Sequence, residues 1–272
     1  GKECEIVVNA DNKHNPSIPP LSADFNFYGG IYRDVNLIVK EPVNISILDK
    51  ATSGLYITTP SVSEQAAKVS ARLLLNNTLA QTAKVNVDYE IYDPQGNLLK
   101  TITKKHKLEA GAASLEVTAD ADIAQPQLWS PDTPALYTLK VLLKDPKTGE
   151  VYDEVAEHFG LRWFHFDADK GFFLNGERIQ IKGVNQHQDH AGVGAAIPDA
   201  LQEFRLRELK KIGVNAVRTS HNPATPELMD ACDRMGILVL EENRLTGIND
   251  EHVRLLRRMI ERDRNHPSII LW

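Results

Sequence analysis

Arg218-Thr219-Ser220-His221-Asn222 places a guanidinium, two hydroxyls, an imidazole and an amide within five residues, directly after the apolar pair Ala216-Val217 and directly before Pro223. A guanidinium can hold a carboxylate through a fork of parallel N–H donors, and imidazole and amide groups suit hydroxyl-rich ligands. Two further polar groupings have the same form. Asn185-Gln186-His187 follows the apolar run that ends at Val184, and Glu241-Glu242-Asn243-Arg244 follows Ile237 to Leu240. Successive residues of a strand face opposite sides, so only one of Glu241 and Glu242 can point the same way as Arg218.

The elements around these groupings determine where they sit. Pro226 fits the first turn of a helix, Leu228, Met229 and Cys232 recur at three- and four-residue spacing, and Gly236 ends the run before the β-rich Ile237-Leu238-Val239-Leu240. This is a strand–helix–strand unit with its polar residues at the carboxyl end of the first strand. The pattern extends both ways. A hairpin over Phe172 to Arg178 leads into a strand from Ile179 to Val184. Asp199, with Gln202 three residues on, then opens a helix bearing Leu201, Phe204, Leu209 and Ile212, with Arg205 intruding on its stripe. A third helix runs from Asp250 to Asp263 with Val253, Leu256 and Ile260 inward, Asn265-His266-Pro267 stops it, and Ser268 to Trp272 is a fourth strand. The count is (βα)₃β, half of an eight-stranded barrel over residues 161–272. In such barrels the carboxyl ends of the strands carry the site.

Residues 51–160 read differently. Val69, Ala71, Leu73 and Leu75 alternate, as do Val85, Val87, Tyr89 and Ile91, then Leu115 and Val117, then Tyr137, Leu139, Val141 and Leu143. Asp93-Pro94-Gln95-Gly96-Asn97 and Asp145-Pro146-Lys147-Thr148-Gly149 are turns between such strands. About seven strands in roughly 100 residues give an immunoglobulin-like β-sandwich. Residues 1–50 hold two strand-like runs, Cys4 to Asn9 and Tyr32 to Val39, around a Pro- and Asn-rich loop from Asp11 to Pro20. The opening Gly1-Lys2-Glu3, without Met, reads as the start of an excised piece.

Composition excludes several function classes. The 272 residues carry 37 acidic and 31 basic side chains, a net charge of −6, and no basic cluster interleaved with aromatics, which argues against nucleic acid. No apolar run reaches membrane-spanning length. Two cysteines, Cys4 and Cys232, make no disulfide framework, and the compartment stays undecided. His187-Gln188-Asp189-His190 has metal-ligand residue types but not the closed set of four that a structural zinc site needs, so no metal and no cofactor are expected. Asn76-Asn77-Thr78 is a glycosylation sequon.

The stretch N-x-φ-R-x-S-H-x-P at Asn215 to Pro223, followed by Asp233, Gly236 and Ile237 to Leu240, resembles the first signature of the family-2 glycoside hydrolases, the β-galactosidase, β-glucuronidase and β-mannosidase relatives. Family members often carry Tyr where Asn222 stands. Gly29 to Val35 resembles the closing strand of the family's jelly-roll domain, Leu128 to Tyr137 a stretch of its second domain, and Asp263 to Trp272 the front half of its second signature. The resemblance implies a retaining hydrolase of β-glycosides, with a β-galactosidase preferred, in which His187, Arg218, His221, Glu242 and Asn243 bind the carbohydrate substrate. Some family β-galactosidases hold Mg²⁺ just after the third strand, where Arg244-Leu245-Thr246-Gly247 offers no matching ligand. The implied order is a jelly-roll tail, the sandwich and the first half of the barrel. The implied acid/base and nucleophile fall after Trp272, so this piece is expected to be inactive and to self-associate through the barrel's open edges. A non-catalytic carbohydrate-binding or interaction module built on the sandwich is the alternative reading.

Overall fold

A computed structural model describes residues 3–13, 15, 28–50, 52–244 and 247–272. Eight strands, β1 (Val43–Ile45), β2 (Leu55–Val62), β3 (Ala66–Asn77), β4 (Ala83–Tyr92), β5 (Leu98–Leu108), β6 (Leu115–Ala124), β7 (Tyr137–Lys144) and β8 (Val151–Phe159), form two antiparallel sheets. In one sheet β3 pairs with β1, β2 and β6; the other runs β5-β4-β7-β8. The alternating residues read from the sequence are the inner faces: Val85, Val87, Tyr89 and Ile91 meet Tyr137, Leu139, Val141 and Leu143 and the buried side of β3 in one core. Period-two alternation buries one face per strand, so two such sheets close on each other. Both expected turns are present, with Gly96 at φ 83° and Gly149 at φ 76° supplying the left-handed residue between β4 and β5 and between β7 and β8.

The two N-terminal runs differ from expectation. Cys4 to Asn9 and Tyr32 to Val39 are not strands, and Val7, Leu37 and Val39 are each more than 80% exposed. A strand needs a ladder for its N–H and C=O groups, and among the described residues these runs find no partner strand. Most of the loop expected from Asp11 to Pro20 lies outside the described residues. Asn76 of the sequon is buried; its side chain donates to Asn44 and accepts from the Ser114 N–H, so the fold does not present it for glycosylation.

After the sandwich, β9 (Phe164–Asp167), β10 (Gly171–Leu174) and β11 (Glu177–Arg178) form a small antiparallel sheet. Its Phe172 and Leu174 pack with Trp129 against Ala216, Leu238 and Ile270, at the amino ends of the strands that follow. Then β12 (Gly183–Gln186), α1 (Asp199–Lys211), β13 (Ala216–Thr219), α2 (Pro226–Met235), β14 (Leu238–Leu240), α3 (Asp250–Asp263) and β15 (Ile269–Leu271) alternate, and the strands pair in parallel in chain order. α2 follows its sequence signals: Thr225 caps it by accepting from the Leu228 N–H, Pro226 follows, and Gly236 at φ 67° ends it.

Four local expectations differ from the structure. The first strand begins at Gly183, not Ile179, because the Asn215 side chain donates to Gln180 O and accepts from Lys182 N, occupying backbone that a ladder would use. α1 is not capped by Asp199; Pro198 stands at the cap without a side-chain bond, and Asp199 lies in the first turn. The buried residues of α1 are Gln202 and Leu206, while Phe204 and Ile212 are 49% and 77% exposed. The α1 face that meets α2 is therefore rotated from the apolar stripe. α3 likewise buries Met259 and Asp263 and leaves Val253 and Leu256 exposed.

Asp263 to Ser268 joins the two bodies. Asn265 Oδ1 accepts from Ile57 N at 3.0 Å and its Nδ2 donates to Leu55 O at 3.2 Å, extending the β2 edge with one side chain. Arg162 donates to Pro267 O and Ile269 O, and Trp129 Nε1 to Asp233 O. Gly160 has no room for a Cβ, since Pro267 would lie 2.6 Å away. These contacts fix the sandwich against β15.

Candidate active site

Parallel pairing builds the site row by row. Asn185 of β12 lies opposite Arg218 of β13, and Arg218 opposite Leu240 of β14. Two residues past Leu240, Glu242 shares the face of Arg218, and Glu241 takes the other face. Glu242 Oε2 is 2.7 Å from Arg218 Nη2, and Glu242 Oε1 is 2.7 Å from His221 Nδ1. That short approach to a carboxylate makes Nδ1 the protonated nitrogen of His221, so Arg218 Nη2, 3.3 Å from the same nitrogen, is a neighbour and not its donor. Arg218 Nη1 donates to Ser220 Oγ at 3.2 Å and lies 3.4 Å from Asn185 Oδ1. The Glu242 N–H donates to Thr219 Oγ1 at 2.9 Å.

His187 joins from β12. Its Nδ1 donates to Ser220 O at 2.7 Å, and its ring meets that of His221 edge to face, with centroids 6.0 Å apart. The peptide bond between Ser220 and His221 is cis. Arg205 Nη2 donates to His187 O at 3.1 Å, so the charge that interrupts the apolar stripe of α1 fixes the end of β12. Four of the five residues singled out, His187, Arg218, His221 and Glu242, converge at the carboxyl ends of three neighbouring strands. Asn243 follows Glu242 and is half-buried. Asn185, Thr219 and Ser220 complete the arrangement; sequence places them at strand ends, but only the register shows which way they point.

Glu241 turns behind the sheet, where its side chain is fully buried. Its Oε1 accepts from Ala224 N at 3.2 Å and lies 3.5 Å from Arg262 Nη2. Burial first, then the charge of and hydrogen bond with Asp263, push its carboxyl up to about 8. The adjacent glutamates therefore have separate environments and do not form a catalytic pair, which would need two carboxyl groups about 5 Å apart across one mouth.

Nδ1 of His187 and of His190 each donate to a backbone carbonyl, Ser220 O and Ala191 O. Leu245 and Thr246, within the stretch that resembles the family's Mg²⁺ position, lie outside the described residues. Asp230, Asp233 and His266 do come within 4.8 Å of one another, away from the mouth. There burial opposes the charge of His266, but its hydrogen bond to Asp233 at 2.6 Å prevails and raises the imidazole to about 9.

Comparison with known proteins agrees in both halves of the chain. Residues 53–162 match the model of glycosyl hydrolases family 2, and residues 168–254 match its TIM barrel domain. A β-glucuronidase of Bacteroides fragilis is 35% identical over all of this chain and 41% of its own length. The β-galactosidase BoGH2A of Bacteroides ovatus is 36% identical over 98% of this chain and 31% of its own. The solved structure of Bacteroides uniformis β-glucuronidase 2, covalently bound to cyclophellitol-6-carboxylate aziridine, superposes with a TM-score of 0.91 at 36% identity, covering 96% of this chain and 32% of that one. The chain thus spans about a third to two fifths of the length of these relatives. With a sandwich and a parallel βα sheet that each match their own part of one family, the chain belongs to the family-2 glycosyl hydrolases.

Proposed function

We propose that this chain supplies the substrate-binding side of a β-glycoside hydrolase site, in which His187, Arg218, His221, Glu242 and Asn243 line the sugar pocket and the parallel strands are the first half of a (β/α)₈ barrel. The observation that carries the reading is the Arg218–Glu242–His221 triangle, held at 2.7 Å contacts on the face where barrel enzymes work. Arg218 by an ion pair and His221 by a hydrogen bond fix the carboxylate of Glu242, and hydrogen bonds to a sugar gain from groups already oriented before binding. The acid/base and nucleophile that retention requires are assigned to the strands that follow β15 in such a barrel, and residues 1–50 to the tail of a jelly roll. Among substrates, the sequence resemblance favours a β-galactoside, while the relatives' names divide between β-glucuronidase and β-galactosidase, so both glycosides belong in the test.

The test is a chimera in which this chain replaces the homologous part of the B. fragilis β-glucuronidase, assayed on aryl β-galactosides and aryl β-glucuronides. Turnover of either that is lost with Glu242→Gln supports the reading. A folded chimera that hydrolyses neither, or one indifferent to Glu242, would favour a sandwich-based binding module instead.

A further inference from the structure

At the pole of the sandwich away from the parallel strands, the ends of β1, β4, β5 and β8 and the turn between β7 and β8 surround an open groove of about 750 Å³. That volume is within the range of small-molecule sites. β8 runs nine residues from the groove to Phe159, where the chain leaves the sandwich, so the groove stands about 30 Å from that junction. Pro42, Leu79 and Tyr152 give it an apolar floor, and Lys84, Lys107 and Lys147 stand around it.

Charge selects the occupant. The register sets Lys84 directly opposite Lys107 on the outward face of the sheet, and like charges so placed cost stability unless an anion offsets them. Lys107 meets Glu109 at 2.7 Å, while among the described residues Lys84 and Lys147 have no ion-pair partner within 4.0 Å. β5 continues the positive charge, with Lys100, Lys104, Lys105 and Lys107 in eleven residues that hold no carboxylate. The groove has two carboxylates of its own. Glu41 is exposed, and Asp145 is turned into its own loop, where Tyr152 Oη donates to Oδ2 at 2.5 Å and the Lys147 and Thr148 N–H groups donate to Oδ1 at 2.7 and 2.8 Å. Lysines also deter edge pairing, and β5 is an edge strand. Lys84 and Lys147 lie off that strand, however, and edge protection calls for no apolar floor. The chain as a whole carries a charge of −6, but at physiological salt charges are screened beyond about 8 Å, so the nearby ammonium groups decide what the groove attracts.

We propose that this groove binds an acidic oligosaccharide, whose pyranose C–H faces lie on Tyr152 and Pro42 and whose carboxylates reach Lys84, Lys107 and Lys147. Ammonium groups on flexible stems recognise charge without fixed geometry, so carboxylates repeated along a glycan chain suit them. No residue of the groove belongs to the Arg218 site. The groove is therefore a second carbohydrate site, and its binding does not depend on whether the first one hydrolyses a glycoside.

The whole chain would be titrated by calorimetry at low salt with hexagalacturonate, with maltohexaose as the uncharged sugar and hexaglutamate as the acidic peptide. Saturable binding of hexagalacturonate that weakens as salt rises, no heat from maltohexaose, and affinity at least tenfold lower in both Lys84→Glu and Lys147→Glu are expected. Both lysines are exposed, so the two variants should fold as the parent does. Lys170→Glu, on the turn between β9 and β10, changes the net charge by the same amount and should leave the affinity intact. The proposal is overturned if hexagalacturonate does not bind, or if Lys170→Glu weakens it as much as Lys84→Glu, which would make the attraction one of overall charge. Hexaglutamate binding as tightly would make the occupant an acidic peptide. Loss of binding in Arg218→Ala with Lys84→Glu unaffected would place the sugar in the candidate active site instead.

Discussion

Replacing Glu241 by Gln should change how stability depends on pH. The carboxyl is enclosed behind β14 beside Asp263 and Arg262, and it rises from its ordinary 4.5 to about 8 on folding. Between those two values the folded chain binds a proton that the unfolded chain has released. Stability is therefore fully present below the unfolded value, falls as pH rises through the window, and is lost above about 8. One unit of displacement corresponds to about 1.4 kcal/mol, so the whole window spans on the order of 5 kcal/mol as an upper limit. Glu241→Gln keeps the volume and mimics the neutral acid, so its stability relative to the parent should rise between pH 5 and pH 8.5, by up to about 4 kcal/mol. Urea melts followed by tryptophan fluorescence at pH 5, 7 and 8.5 would read this. His266, raised to about 9, also costs stability as pH rises, from its ordinary 6.5 upward, but it is common to both proteins and cancels in the difference. A gap that does not change with pH would refute the buried neutral carboxyl.

Other outcomes follow from the same contacts. Asn265→Ala leaves the Ile57 N–H and Leu55 C=O without their partner, and should cost about 1–3 kcal/mol in a urea melt; a loss below about 0.5 kcal/mol would show that the clasp between sandwich and barrel strands lies elsewhere. The purified 272-residue chain should show no enzyme-level turnover of aryl β-galactosides or β-glucuronides, because one oriented carboxylate does not make a nucleophile and an acid. Turnover that co-purifies with the chain and is lost with Glu242→Gln would contradict this. Among the described residues strands β12 and β15 each pair on one side only, and Phe204, Ile212 and Leu271 lie exposed beside them. Light scattering at micromolar concentration should therefore detect a dimer or larger species, and a strict monomer with residues 179–272 as protected in hydrogen exchange as the sandwich would exclude association through these edges.

The sandwich was legible because alternation in β4, β6 and β7 is a local property, set by the two-residue period and independent of what the strands face. α2 was legible for the same reason, since Thr225, Pro226 and Gly236 act within one turn. What depended on neighbours was not legible. The Tyr32 to Val39 run has strand composition but no partner strand among the described residues. The stripe of α1 was read from hydrophobicity alone, whereas packing on α2 selects Gln202 and Leu206 and leaves Phe204 outside. At the candidate site the residue types and their strand ends could be read from sequence, and alternation foretold that Glu241 and Glu242 would separate. The register that sets Asn185 beside Arg218, and the use of Arg205 to hold His187, needed the three-dimensional pairing. A charge inside an apolar stripe was the available signal for Arg205.

The role given to Arg218 is tested most directly by Arg218→Ala in the chimera with the B. fragilis enzyme, measuring kcat/KM and Tm together. Arg218 is 38% exposed and its partner Glu242 24%, so the ion pair contributes no more than about 1 kcal/mol to stability. If the pair holds the substrate side of the site, kcat/KM should fall by about two orders of magnitude or more with Tm shifting by no more than a few degrees. A large fall in Tm with a proportionate fall in activity would mean that Arg218 serves the fold, and the substrate site would have to be placed elsewhere.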